Sequence, residues 1–154
     1  MSILKKIETH IPSNLGKTMN QNEIINLPKI FDPRGNLTFI QYPNQLPFEI
    51  KRVFWTYDVP GGGKRGGHAY KSQNEVIVAL SGSFDVIHTL ADGSTHLTSL
   101  NRSYHGLYLP ALTWRHLENF STNAICLHLS DQEFDAMDYL RDFEEYKKLC
   151  NEKG

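Results

Sequence analysis

Long apolar runs are missing from the start of this chain. The opening MSILKKIETHIPSNLGKTMNQ contains none long enough for a signal peptide or a membrane span. Cysteine is scarce as well: Cys126 sits in an apolar, strand-like run and Cys150 near the C-terminal end. Neither has C-x-x-C spacing, so they read as two reduced thiols of a cytosolic protein. An excess of charge is also lacking. The formal net charge of −1 gives no global pull towards nucleic acid or an anionic membrane. There is no tandem repeat, low-complexity tract or linker. The expectation is a cytoplasmic protein with neither nucleic acid nor membrane as partner.

What is present suits one ordinary globular domain. A chain of 154 residues buries one sizeable core, not two. Its 40% hydrophobic and 21% charged content excludes a disordered chain. Residues 1–22 read as a poorly ordered or loosely docked lead-in. From 23 to 130 the chain reads as short strands punctuated by turns. EIINLPKI is the first, DPRG (32–35) a turn, and NLTFIQY the next strand. EIKRVFWTYDV is rich in β-branched and aromatic residues, and a glycine loop, PGGGKRGG, follows it. EVIVAL is almost wholly apolar, as expected of a strand buried on both faces. FDVIHTL, STHLTSL, GLYLP, TWRHLENF and NAICLHLS supply the rest, with Asp92-Gly93 marking a hairpin. Residues 131–154 differ: Tyr139, Phe143, Tyr146 and Leu149 recur at helix-like intervals and predict one C-terminal helix. Many short strands joined by Gly/Pro turns make the fold class all-β, a sandwich or barrel.

One constellation sharpens this. HAYKSQNEVIVALSG, beginning at His68, resembles the first cupin motif, with His68, Glu75 and Gly82 in place and Tyr70 where a second His is usual. GLYLP (106–110), followed by Arg115 and Asn119, resembles the second motif, with Arg115 at its metal-binding His position. The resemblance implies a single cupin-type β-barrel, a jelly roll, with a short C-terminal helix. A cupin metal needs imidazole and carboxylate donors. Tyr70 is a poor ligand, and Arg115 is a permanent cation that repels a metal. The expectation is therefore no metal and no cofactor.

Period-two alternation puts His68 and Tyr70 on one strand face, roughly 6–7 Å apart along the chain. An imidazole and a phenol facing a cavity form an acid/base pair; the plainer alternative is a core His and a core Tyr. The glycine loop brings Lys64 and Arg65 towards the cavity mouth, where cations suit a phosphorylated ligand, or else it is a solvated connection. Arg52, Phe54 and Thr56 share one strand face, and Val53, Trp55 and Tyr57 the other. The sequence leaves open which set faces inward, and whether the aromatics fill core or stack on a base.

Taken together, DPRGNLT, FEIKRVFWTYDVP, RGGHAYK, ALSGSFDV, LNRSYHGLYLP, TWRHLENFS and DYLRDFEEY resemble, in order and spacing over roughly residues 23–147, the WxcM-like sugar-nucleotide 3,4-ketoisomerases. That resemblance implies a dTDP-linked 4-keto-6-deoxyhexose as ligand. The reaction it implies moves the ketone from C4 to C3 through an enediol(ate), with no metal or redox cofactor. It also implies a homodimer with exchanged N-terminal strands. His68 and Tyr70 become the catalytic candidates, Tyr70 departing from the family's His-x-His pair. Arg34, in the DxRG turn, and Arg65 match substrate-holding positions; Arg52, Tyr57 and Arg115 complete the expected binding set. A nucleotide-sugar-binding cupin without chemistry, and a 3,5-epimerase-like enzyme, are the alternatives.

Overall fold

The computed structural model describes residues 11–154. Two five-stranded antiparallel sheets face each other as a cupin-like sandwich. The strands are β1 (Glu23–Asn26), β2 (Arg52–Thr56), β3 (Arg65–Tyr70), β4 (Glu75–Ser81), β5 (Phe84–Thr89), β6 (Thr95–Leu100), β7 (His105–Leu109), β8 (Trp114–Glu118), β9 (Ile125–Ser130) and β10 (Tyr139–Leu140). One sheet runs β1-β7-β4-β9-β2 and the other β10-β3-β8-β5-β6. A single helix, α1 (Phe143–Lys153), follows, its first turn capped by the Asp142 carboxylate accepting from Glu145 N at 2.8 Å. Among the described residues, no helix is long and apolar enough to cross a membrane.

Three apolar clusters explain the burial pattern. Ile77, Phe84, Val86, Leu107, Leu117 and Cys126 fill one end of the space between the sheets. Ile25, Leu46, Val76, Val78 and Leu129 pack on the outer face of the first sheet, beneath the chain from Met19 to Ile50. β4 contributes Ile77 and Ala79 to the first cluster and Val76 and Val78 to the second. It is thus buried on both faces, as its unbroken apolar run predicts. The third cluster seats α1 on the second sheet through Ala69, Leu140 and Tyr146, with Trp114 and Phe143 against them.

Two expectations need correction. NLTFIQY is not a strand: among the described residues its one ladder contact is the Ile30–Leu37 bridge. Part of it packs on the first sheet through Ile40, and the nearby Pro43 and Pro47 cannot donate to a ladder. The helix starts later than the aromatic spacing suggests. Ala136–Asp138 is a single 3-10 turn and Tyr139 lies on β10, hydrogen-bonded to β3. The sheets therefore continue past residue 130. The lead-in is docked where it is described: Asn14 donates from N to Asn44 O at 2.6 Å and from Nδ2 to Gln45 O at 3.0 Å, and Met19 is buried. Residues 1–10 of the lead-in lie outside the described residues.

Candidate active site

The apolar cluster fills only one end of the interior. At the other end the strands turn polar side chains inward around a cavity of about 410 Å³. β2 supplies Phe54 and Thr56, β3 Arg65, His68 and Tyr70, β4 Glu75, β8 Arg115 and Leu117, and β9 His128. Tyr139 and Arg141 reach it from β10 and the residue just after.

Local backbone chemistry aims His68. Gly66 and Gly67 both have positive φ, +87° and +77°, and the β3–β8 ladder shifts register between Gly66 and His68. Left-handed backbone at two successive residues makes a bulge that side chains disfavour. At Gly66 an added Cβ would also lie 3.0 Å from Arg115 O. The bulge sets His68 opposite Arg115.

Beneath the imidazole lies a buried ion pair. Arg115 donates to Glu75 Oε1 at 3.0 Å and to Thr113 O at 2.9 Å, and its guanidinium lies 4.5 Å over the Tyr70 ring. Both partners are almost wholly buried. Burial by itself would raise the Glu75 carboxyl. Arg115 and His128 outweigh it and hold Glu75 down at about 2. His128 stacks on Phe54 with ring centroids 4.2 Å apart, and its Nε2 is 3.2 Å from Thr56 Oγ1. Its Nδ1 lies 3.4 Å from Glu75 Oε1 but is not aimed for a hydrogen bond. This donor set does not fit a cupin metal. Arg115 engages the one carboxylate and places a fixed positive charge where a third imidazole would stand.

His68, Tyr70 and Tyr139 form an aromatic cluster. Ring centroids are 4.9 Å apart for His68–Tyr70, 5.1 Å for His68–Tyr139 and 4.7 Å for Tyr70–Tyr139. The Tyr70 hydroxyl donates to the Tyr139 hydroxyl at 3.3 Å. His68 Nε2 is buried with no hydrogen-bond partner. Burial, reinforced by the Arg115 charge, pushes the imidazole down to about 4, so it is neutral at physiological pH. Burial, followed by the nearby Glu75 charge, pushes the Tyr70 phenol up and keeps it protonated. The arrangement offers a neutral imidazole, a phenol held protonated at Tyr70, the Tyr139 hydroxyl beside it, and exposed cations at the rim.

Residues 20–151 match the family described as FdtA: WxcM-like, C-terminal. The chain belongs to that family. A curated relative, the TDP-4-oxo-6-deoxy-alpha-D-glucose-3,4-oxoisomerase of Aneurinibacillus thermoaerophilus, is 36% identical over 129 residues, 83% of this chain and 91% of that one. The fold superposes on QdtA, a sugar 3,4-ketoisomerase from Thermoanaerobacterium thermosaccharolyticum in complex with TDP, with TM-score 0.84 and 29% identity over 88% of this chain and 98% of that one. The WlaRB TDP-quinovose 3,4-ketoisomerase from Campylobacter jejuni matches with TM-score 0.79 and 35% identity, over 84% and 99%.

The binding and catalytic set expected from the WxcM-like resemblance is only partly gathered. His68, Tyr70, Arg65 and Arg115 converge on the cavity. Arg52 lies just outside its lining. It donates to Gln73 Oε1 at 3.2 Å, lies between Phe54 and Phe134, and leaves Nε unpaired and buried. Tyr57, one residue past β2, lies outside the cavity lining and is 60% exposed, on the outward side with Val53 and Trp55. Arg34 also lies outside the cavity lining of its own chain. Its turn folds back on itself, and the guanidinium pairs with Asp32 at 2.7 and 2.9 Å on the surface, away from the cavity within this chain. His128, Tyr139 and Arg141 were missed. Tyr139 was concealed by its place in a helix-like series; the D-Y-L-R alternation, with Tyr139 and Arg141 two apart, carries the strand signal.

Proposed function

We propose that this chain is a sugar-nucleotide 3,4-ketoisomerase that moves the ketone of a dTDP-linked 4-keto-6-deoxyhexose from C4 to C3 through an enediol(ate). The observation that carries the reading is His68: a neutral imidazole whose Nε2 has no hydrogen-bond partner among the described residues, at the cavity wall beside the Tyr70 and Tyr139 rings. A nitrogen with no other engagement is free to take a proton from C3 and return it to C4, both within reach of one base. Tyr70 is placed to donate a hydrogen bond to the oxygen that gains charge at C4. Arg65 and Arg141, both exposed, give the mouth the positive character a diphosphate needs, while Lys64 is paired with Glu118 at 2.8 Å. Arg52 and Arg115 support the floor of the same site.

The cluster favours isomerisation over 3,5-epimerisation. Epimerisation needs an acid and a base on opposite faces of the sugar ring, whereas His68, Tyr70 and Tyr139 crowd one side of the cavity with centroids no more than 5.1 Å apart.

A homodimer with exchanged N-terminal strands belongs to the same reading. The outward face of the first sheet leaves Val53, Trp55, Tyr57 and Leu80 exposed beside a groove of about 680 Å³ lined by Val78, Leu127 and Ile40. Apolar exposure on that scale suits a second copy. Residues 27–51, between β1 and β2, contain no strand, which leaves a long connection for an exchange. Arg34, 89% exposed in its own chain, would travel with the exchanged segment to the partner's site. The cytoplasm is the expected compartment, in keeping with two free thiols.

Incubation with dTDP-4-keto-6-deoxyglucose in deuterated water, read by NMR, tests the reaction. The expected result is a 3-keto product carrying solvent deuterium at C4, and no exchange in a His68→Asn variant. Deuterium at C3 or C5 with inverted configuration, saturable binding without exchange, or full activity in His68→Asn each overturns the assignment.

A further inference from the structure

We propose that the hydroxyls of Tyr70 and Tyr139 form a two-phenol relay that moves the oxygen-bound proton of the reaction while His68 moves the carbon-bound one. The proposal rests on the isomerase reading and deepens it.

Shifting a ketone from C4 to C3 takes two hydrogen transfers. In the first half, the C3–H electrons become the C3=C4 bond as a proton leaves for the base, and the C4 oxygen accepts a proton. In the second half, the O3–H electrons become the C3=O bond as that proton leaves, and C4 takes a proton from the base. Electrons stay within the substrate, so no oxidant or reductant is required. One imidazole nitrogen serves the two carbons. The two oxygens need a group that gives a proton at O4 and accepts one at O3.

The phenol pair matches that task in geometry. The Tyr70 and Tyr139 oxygens stand 3.3 Å apart, already hydrogen-bonded, close to the separation of two vicinal sugar oxygens. Tyr70 turns its hydroxyl from Tyr139 to O4 and gives its proton there, Tyr139 then donates to Tyr70 and replaces it, and O3–H restores Tyr139. Each phenol ends as it began; between the two halves the pair is one proton short, and the proton His68 has taken from C3 balances that charge. Other groups in the cavity are engaged. Glu75 is ion-paired to Arg115, and the Thr56 hydroxyl is taken up by His128. The chain also builds Tyr139 into place. β10 sets Tyr139 opposite Tyr70 in register, and the buried Asp138 carboxylate accepts from Ser72 N at 2.9 Å, Ser72 Oγ at 2.7 Å and Gln73 N at 3.0 Å. Three bonds from one carboxylate lock β10 to the chain just after β3.

The test compares Tyr139→Phe, Tyr70→Phe and the double variant with the native protein on dTDP-4-keto-6-deoxyglucose in deuterated water. NMR reads C3 exchange and product formation separately, and calorimetry reads TDP affinity. Tyr139→Phe is expected to keep TDP affinity and C3 exchange, because His68 and Tyr70 remain, while product formation falls about 100-fold. The double variant should form product no more slowly than the slower single variant, since relay members act as a unit. Near-native product formation in Tyr139→Phe, or a double variant that multiplies the two single losses, overturns the relay and leaves the isomerase reading standing. A native protein that neither exchanges nor isomerises overturns both. If Tyr139→Phe does not hold TDP, a ring-fluorinated tyrosine at position 139 keeps shape and hydroxyl. A changed solvent isotope effect on product formation then supports the relay, and an unchanged one overturns it.

Discussion

Acidification should weaken the native fold through His68, and by an amount the structure sets. Its imidazole titrates near 6.5 in an unfolded chain, but burial and then the Arg115 charge hold it at about 4 in the native state. Between those values the unfolded chain binds a proton that the folded chain refuses. The stability is therefore complete above 6.5 and is lost as pH falls through 4. The gap corresponds to roughly 3 kcal/mol in full, of which about 2 kcal/mol is lost by about pH 5. His68→Asn keeps a polar group of similar size and removes the titration. Urea unfolding of both proteins at about pH 7.5 and about pH 5 isolates the term, because the shared carboxylates cancel in the difference. The native protein should lose about 2 kcal/mol more than the variant over that interval. Equal losses would refute the claim that His68 is held neutral by burial, and with it the neutral-base argument for catalysis.

Arg115→Ala leaves the Glu75 carboxylate buried without its cation, and denaturant unfolding should show a loss of roughly 3–5 kcal/mol. Adding Glu75→Gln to that variant should restore part of the loss. Asp138→Ala removes three accepted hydrogen bonds and should cost about 2–4 kcal/mol, with isomerisation falling further than TDP binding because β10 carries Tyr139. The proposed homodimer is tested by Trp55→Asp, which puts a charge on the exposed apolar face of β2: analytical ultracentrifugation should find the native protein dimeric and the variant shifted towards monomer, and a monomeric native protein would overturn the proposal.

Much of the fold was legible because its signals are local. Alternation, turn residues and the unbroken EVIVAL run mark strands through short-range sterics and burial, and the cupin-like spacing placed His68, Glu75 and Arg115 on strands that converge. Other features depended on contacts between distant segments. The alternation in RVFWTY separates Arg52, Phe54 and Thr56 from Val53, Trp55 and Tyr57, yet both sets are rich in large side chains. Pairing with β9, which sets Phe54 beside His128, decided which faced inward. The motif marks Arg34 as a ligand candidate, and only the structure shows that within its own chain it pairs with Asp32, two residues away.

The sequence by itself determined a small all-β domain with His68 and Tyr70 on one strand, because period-two geometry follows from the backbone alone. Only the tertiary structure decided what surrounds that pair. The spacing of Tyr139, Phe143, Tyr146 and Leu149 satisfies a helical period, and nothing local forbids a helix from 139. Competition with a β3 edge, together with Asp138 anchored across to Ser72 and Gln73, drew Tyr139 into a strand and onto Tyr70. Neutrality of His68 is likewise a tertiary property, since it comes from burial and from an arginine 47 positions along the chain.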